Sequence, residues 1–263
     1  MILASVKEDF YLNFIKDDRY LWLLDGLKTT LIITVFAVIV GLIIGFLVAI
    51  IRSAHDKSGS FKILNAICRV YLTVIRVTPT MIQLLIMNFV IFGAVSINKI
   101  IVGGLAFGIN SGAYVAEIVR SGIMSIDQGQ TEAGLVLGMT KSQIFFKITL
   151  MQMIKRIVPP MSNEIITLVK DTSLARIIAL QEIIWAGQSF LKGSQGISGA
   201  IWPMFFAAVY YLVFNGILTV NVVPTSSSLC IFIVPWCIRL IFFTIASPRP
   251  VPPVSLERAL STR

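Results

Sequence analysis

Long apolar runs alternate with short polar clusters along this chain, and the runs have the length of membrane spans. The first, residues 29–51, contains no charged residue and ends at Arg52, His55, Asp56 and Lys57. A second run, 81–97, follows Pro79. Only Asn98 and Lys99 separate it from the third, 100–119, so these two are predicted to be antiparallel neighbours. Further runs lie near 151–169 and 201–220. A helix needs ~20 apolar residues to cross the bilayer core, so the pattern predicts an all-α polytopic membrane bundle of about five spans. Residues 61–76 follow a different rule. There Ile63, Ile67, Val70 and Val74 recur at three- and four-residue steps among Lys62, Arg69 and Arg76, the pattern of an amphipathic helix lying in the interface.

Composition narrows the class. Hydrophobic residues make up 56% of the 263 and charged ones 13%, with mean hydropathy +0.87. Soluble domains carry about a quarter charged residues, so an ordinary cytosolic enzyme, a secreted disulfide scaffold and a disordered tail are excluded. Three cysteines and one histidine offer neither a disulfide framework nor a zinc site. The net charge of +9 sits beside the spans and reflects membrane topology, not nucleic-acid binding. Residues 52–79 and 120–156 are each rich in Lys and Arg, which places both on the cytoplasmic side. The N-terminal segment, 1–26, and residues 171–199 are then expected outside. The N-terminus lacks the basic start and cleavage site of a signal peptide.

Small residues mark faces where spans approach. Gly104, Gly108, Gly112 and Ala116 recur every four residues in the third run, and Gly41 and Gly45 repeat that spacing in the first. Such faces allow close backbone packing in lipid, either within one bundle or between subunits.

The cytoplasmic loop 121–147 is too polar to span yet carries helix signals. Asp127 and Gln130 have the spacing of a capping box, and Glu132 lies near the positive end of the helix dipole. Gly138 is placed to end that helix in the left-handed conformation, and Thr140 with Gln143 forms a second capping box. The prediction is a short helix over about 128–138, a glycine turn, and a helix entering the next span. A rigid element held between two spans offers a docking surface; a solvated hairpin without a partner is the alternative.

The fourth run carries the most polar residues: Asn163, Glu164, Thr167 and Lys170, just after Pro159 and Pro160. Ionisable groups within a span are costly and mark candidate pathways. Steps of three and four place 163, 164 and 167 on one face, and the two prolines are expected to interrupt the helix and free backbone carbonyls toward a water-filled path. Glu164, with Asn163 and Thr167, would then meet the ammonium group of an amino acid. Pairing of Glu164 with an Arg or Lys of a neighbouring span is the other reading. Glu117, three residues before Arg120, reads as structural, and His55 as a solvated loop residue. No catalytic machinery is visible. Residues 134–142 read GLVLGMTKS, with Thr140 where a phosphate-cradling loop needs glycine before Lys141, and neither H-E-x-x-H nor G-x-S-x-G occurs.

Glu132-Ala133-Gly134, then Gly138 and Ile148, resemble the EAA loop of ABC importer permeases. Residues 113–123, AYVAEIVRSGI, resemble the signature of the polar amino-acid subgroup of that family. Arg76-Val77-Thr78-Pro79-Thr80, Pro159-Pro160 followed by Asn163-Glu164, and residues 170–175, KDTSLA, resemble further patches of it. The likeness covers about residues 20–220 in the family's order. It implies a permease subunit of an ATP-driven importer for polar amino acids in a bacterial plasma membrane, and no enzyme activity on this chain. It further implies that the loop helix fits a groove on a separate ATPase subunit, making Glu132, Ala133, Gly134 and Gly138 the coupling residues. The implied partners are ABC ATPase subunits, an extracellular substrate-binding protein and a second permease copy. ATP and Mg belong to the ATPase, with no cofactor on this chain.

The expected organisation is an external segment, 1–26, a permease transmembrane domain, 27–220, with the coupling loop at 121–150, and a tail, 221–263. Three positions depart from the family: Val77 and Gly134 replace its usual Gly and Ala, and Met151 its usual Pro. Val77 would remove any positive backbone angle at that site, and Met151 would straighten an entry kink. The tail has no such likeness and reads as an extra span or a reading-frame artefact. The rival functions are an ion-coupled secondary carrier, for which one buried acid is thin, and a decayed, non-transporting membrane subunit.

Overall fold

Residues 10–11, 15–189 and 196–222 are described by the computed structural model, and every regular element among them is helical. Helix α1, Arg19–Ser58, has 40 residues and is therefore ~60 Å long, about twice the bilayer core. It begins ten residues before the apolar run and passes unbroken through the expected boundary at 26/27. Ile32, Val35, Ile39, Ile43 and Leu47 form an exposed apolar stripe along it.

Its other face packs on α4, Lys99–Met124, the most extensive helix pair in the molecule. The glycines explain how. A Cβ at Gly104 would lie 2.0 Å from the Phe36 ring, one at Gly108 2.6 Å from the Val40 Cβ, and one at Gly112 3.0 Å from the Ile44 Cβ. In return Gly45 of α1 leaves no room for more than hydrogen against Val115. The glycine faces of both runs therefore meet each other inside one chain.

Helix α2, Lys62–Val77, buries Asn65, Cys68 and Leu72, and Cys68 and Leu72 pack against Val48, Ala113 and Ala116. Its stripe of Ile63, Ile67, Val70 and Val74 is exposed, as a lipid-facing surface would be. Val77 lies in ordinary helical backbone, not among the positive-φ residues, so a side chain costs no strain there. After Pro79 the chain turns by 108° into α3, Thr80–Leu85, extended by a wider π-type segment to Ile91. This corrects the expected 81–97 run. Twelve helical residues reach ~18 Å, well short of the bilayer core, before a turn in which a Cβ at Gly93 would fall 2.2 Å from the Phe89 carbonyl oxygen.

The chain continues through α5, Gln128–Val136, and the short α6, Lys141–Ile144, whose π-type extension Phe145–Thr149 leads into α7, Leu150–Asp171. Contrary to expectation, Pro159 and Pro160 do not interrupt α7. Both lie on its exposed side, where the missing N–H groups leave the Lys155 and Arg156 carbonyls without helical partners. A 3-10 segment, Thr172–Ile178, leads to α8, Ile183–Ser189, and then α9, Gly196–Val222. The region 223–263 lies outside the described residues. Among the described residues two helices, Tyr20–Asp56 and Lys99–Met124, are long and apolar enough to cross a membrane, with a third if the bent α2–α3 pair is counted as one span.

Two apolar clusters dominate the described core. One gathers Ile33, Phe107, Leu168 and Ile178; the other gathers Ala49, Val115, Val119, Phe145 and Met153. Between them lies a polar layer formed by residues 110 and 111 of α4 and residue 164 of α7.

A buried latch holds α8 outside the spanning helices. The fully buried Glu182 carboxylate accepts N–H bonds from Ile184 and Trp185, both at 2.7 Å. The Ile183 N–H donates to Thr30 Oγ1 at 3.3 Å, tying this segment to the start of α1. Burial pushes the Glu182 carboxyl up to about 7, against the lowering influence of those two N–H groups and of Arg176.

Gly108→Ala should therefore lower stability by ~1–3 kcal/mol, the usual cost of overpacking. A thermal midpoint measured in detergent should fall, whereas Gly216→Ala, with open space around it, should not lower it. The Glu182 carboxyl gives a second expectation. Between its ordinary 4.5 and about 7, the folded chain holds a proton that the unfolded chain has released. Stability is thus greatest at the acid end and falls as pH rises through that window, by on the order of 3 kcal/mol at ~1.4 kcal/mol per unit. Glu182→Gln should flatten the slope of midpoint against pH; identical slopes in the two proteins would refute the latch.

Candidate functional site

The loop helix α5 is built by local hydrogen bonds. Asp127 Oδ1 accepts the Gly129 N–H at 2.9 Å and caps its start. The expected reciprocal bond from Gln130 is not made; its side-chain oxygen accepts instead from Gln152 Nε2 of α7 at 3.3 Å. At the far end Gly138 adopts φ +74, and paired bonds from Met139 N–H to the Gly134 carbonyl and from Gly138 N–H to the Leu135 carbonyl, each 3.0 Å, close the helix. The Thr140–Gln143 capping box is complete, with bonds of 3.3 and 2.9 Å. Two tight ends thus make α5 and α6 a rigid pair.

Within that pair the four EAA-loop residues occupy different places. Glu132 and Ala133 are exposed, together with Leu135, Val136 and Leu137; Val136 is 87% exposed. Gly134 is buried, and a Cβ there would lie 2.6 Å from Ile144 Cγ1 of α6. Gly138 is exposed, with open space where a Cβ would go. Glycine at 134 is therefore what lets α5 seat closely on α6. The loop is rooted by Arg156, which donates to the Ser125 carbonyl.

The same end of the bundle carries ion pairs. Arg52 donates to Glu117 at 2.8 Å, Arg76 lies 3.8 Å from the same carboxylate, and Arg120 pairs with Asp56 at 2.9 Å. Glu117 is thus paired with Arg52 of α1 and not with its sequence neighbour Arg120. His55 Nδ1 meets the Ser60 carbonyl at 2.8 Å.

In α7, Asn163 and Thr167 lie on an exposed face that continues to Lys170. Thr167 Oγ1 donates to the Asn163 carbonyl at 2.9 Å. Glu164 turns away from them toward α4, where Ser111 Oγ donates to its Oε1 at 2.7 Å. A hydroxyl, not an Arg or Lys, is the partner this contact supplies. Sequence reasoning missed this half of the polar layer. Asn110 and Ser111, 6% and 3% exposed, are the relevant pair, and Asn110 Nδ2 donates to Gln83 Oε1 of α3 at 3.0 Å. Gln83 in turn donates to the Ile75 carbonyl at 2.7 Å and so holds the bent α2–α3 corner. Two adjacent polar residues inside an apolar run were the available signal. Among the described residues no group of three His, Cys, Asp or Glu is arranged to hold a metal ion.

Residues 41–222 match the family described as binding-protein-dependent transport system inner membrane component. The chain is 34% identical to the glutamine transport system permease protein of Escherichia coli K12 over 200 residues, 75% of this chain and 88% of that one. It is 36% identical to the L-cystine transport system permease protein of Bacillus subtilis 168 over 165 residues, 62% of this chain and 68% of that one. Among solved structures, an amino acid ABC transporter with histidines matches with TM-score 0.66 and 29% identity over 83% of this chain and 95% of that one. The MetNI methionine ABC transporter, at 20% identity and TM-score 0.60 over 78% of this chain and 94% of that one, shares the fold. The chain belongs to the family of inner-membrane components of binding-protein-dependent transport systems, and is a transport permease, not an enzyme.

Proposed function

We propose that this chain is the permease subunit of an ATP-driven importer that moves polar amino acids across the bacterial plasma membrane. The supporting observation is a rigid, doubly closed helix, Gln128–Val136, held clear of the core with Glu132 and the apolar Leu135–Leu137 edge exposed. An ABC ATPase subunit docks on that helix. Glu132 and Ala133 face it, Gly134 seats the helix on α6, and Gly138 fixes its end. Two permease copies enclose the path, and their exposed α7 faces, bearing Asn163 and Thr167, line it. Glu164 supplies the negative group for a substrate ammonium, and an extracellular binding protein delivers the substrate. About five spans, the bent α2–α3 pair counted as one, give the multi-pass topology.

The test is reconstitution in liposomes with ABC ATPase and binding protein, across the standard amino acids. Hydrolysis should rise with loaded binding protein and fall to its basal rate in Glu132→Lys or Gly138→Pro. Accumulation without the ATPase would mark an ion-coupled carrier, and neither hydrolysis nor uptake a decayed subunit.

Glu164→Gln keeps an oxygen for the Ser111 hydroxyl and removes the charge. It should lower uptake at least roughly tenfold, the equivalent of one charge-assisted hydrogen bond, with ATPase binding intact. Wild-type uptake in that variant would remove Glu164 from the path.

A further inference from the structure

A cavity of ≈ 470 Å³ opens beyond the polar face of α7, between its last turn, the Thr172–Ile178 segment, α8 and α9. Its volume falls within the roughly 300–1,000 Å³ of small-ligand sites. Lys170 and Arg176 bring two cations to the lining, Ser173 and Tyr211 two hydroxyls, and Ile177 and Ile184 an apolar wall, with no acid among the lining residues. Arg176 is oriented by a hydrogen bond to Gln188 of α8. Lys170 is exposed, three residues beyond Thr167 and seven beyond Asn163, on the same face.

This chemistry selects a carboxylate on a small, partly apolar body. We propose that the cavity is an entry station for the amino acid, with Lys170 and Arg176 receiving its α-carboxylate before it descends along α7. The proposal rests on the importer reading above. Distance decides between one clamp and two stations. Lys170 and Glu164 are six residues apart, ~9 Å along the axis, and their side chains diverge, one to the cavity and one to Ser111. The ammonium and carboxylate of one amino acid are about 2.5 Å apart across the α-carbon. The two charges therefore meet the substrate in succession: carboxylate first, at the outer end, then ammonium at the midpoint. A cationic station at the mouth also holds the zwitterion by the carboxylate that every standard amino acid shares, leaving the side chain free for selection elsewhere.

The experiment measures binding to the permease–ATPase complex without the binding protein. The probe is the amino acid whose uptake the reconstitution finds strongest, compared with its α-carboxamide. The wild type should bind the acid more tightly than the amide. Lys170→Gln should raise the Kd for the acid roughly tenfold and erase the difference, and Lys170→Arg should restore both. Unchanged acid affinity in Lys170→Gln and in Arg176→Gln would overturn the station and reduce Lys170 to a membrane-interface anchor. A weaker response to binding protein with unchanged acid affinity would assign the cations to that protein's surface, and would equally overturn it. Failure of the importer reading looks different: no amino acid then drives hydrolysis in the wild type.

Discussion

The close approach of α1 and α4 is the constraint from which the rest of the architecture follows. In lipid, apolar side chains gain nothing by leaving one apolar medium for another, so helices associate by shape. Here Phe36, Val40 and Ile44 of α1 lie in the space left by Gly104, Gly108 and Gly112 of α4. At the centre of that seam a Cβ on Gly41 would come within 3.3 Å of Ser111 Oγ. The missing side chain at 41 is what gives Ser111 room beside α1, and Ser111 in turn reaches Glu164. A packing rule written in small residues thereby positions a polar group on a different helix.

That polar group is retained against a gradient. On the importer reading α7 is a span, and an ionisable side chain well inside a span costs ~2.5–3.5 kcal/mol even on the lenient insertion scales. One hydrogen bond from a neutral hydroxyl returns ~0.5–1.5 kcal/mol. The Ser111 contact does not cover the cost, so Glu164 is not explained as a stabilising element. Its position between two apolar half-cores, beside an exposed polar face, accords with a role in passage. Glu117 is the contrast. It sits at the end of the bundle with two arginines within 4 Å, where structure alone accounts for it.

Much of this was legible in the residues. Glycine every four positions marked the two faces that meet in the α1–α4 seam without pairing them, while Gly138 and the Thr140–Gln143 pair named the joints of the loop, because those joints depend on local geometry alone. What escaped depended on partners distant in sequence. Asn110 and Ser111 looked incidental until α3 and α7 were brought against α4. Glu182 looked like a loop acid until Thr30, 152 residues earlier, closed over its helix. The prolines misled differently: a tandem at 159–160 signals a break, but α7 runs on through both, which lie on its exposed side. The second apolar run misled through composition, since hydropathy cannot register the 108° corner that Gln83 pins to the Ile75 carbonyl.

Helix α7 joins the two ends of the proposed mechanism. Its 22 residues make a rod of ~33 Å, longer than the bilayer core is thick. At its base α6 feeds directly into it through Phe145–Thr149, and Arg156 and Gln152 fasten it to the α5 loop. At its outer end stand Lys170 and the cavity. A close-packed interior does not absorb displacement gradually. On the importer reading, force applied to α5 therefore cannot be dissipated within a hinge at Gly138, since bonds on both sides of that glycine lock it. The force must move α7 as a body against α4. On that reading, the contact that such a movement strains is Ser111 to Glu164, so the carboxylate offered to the substrate lies where the two helices shift.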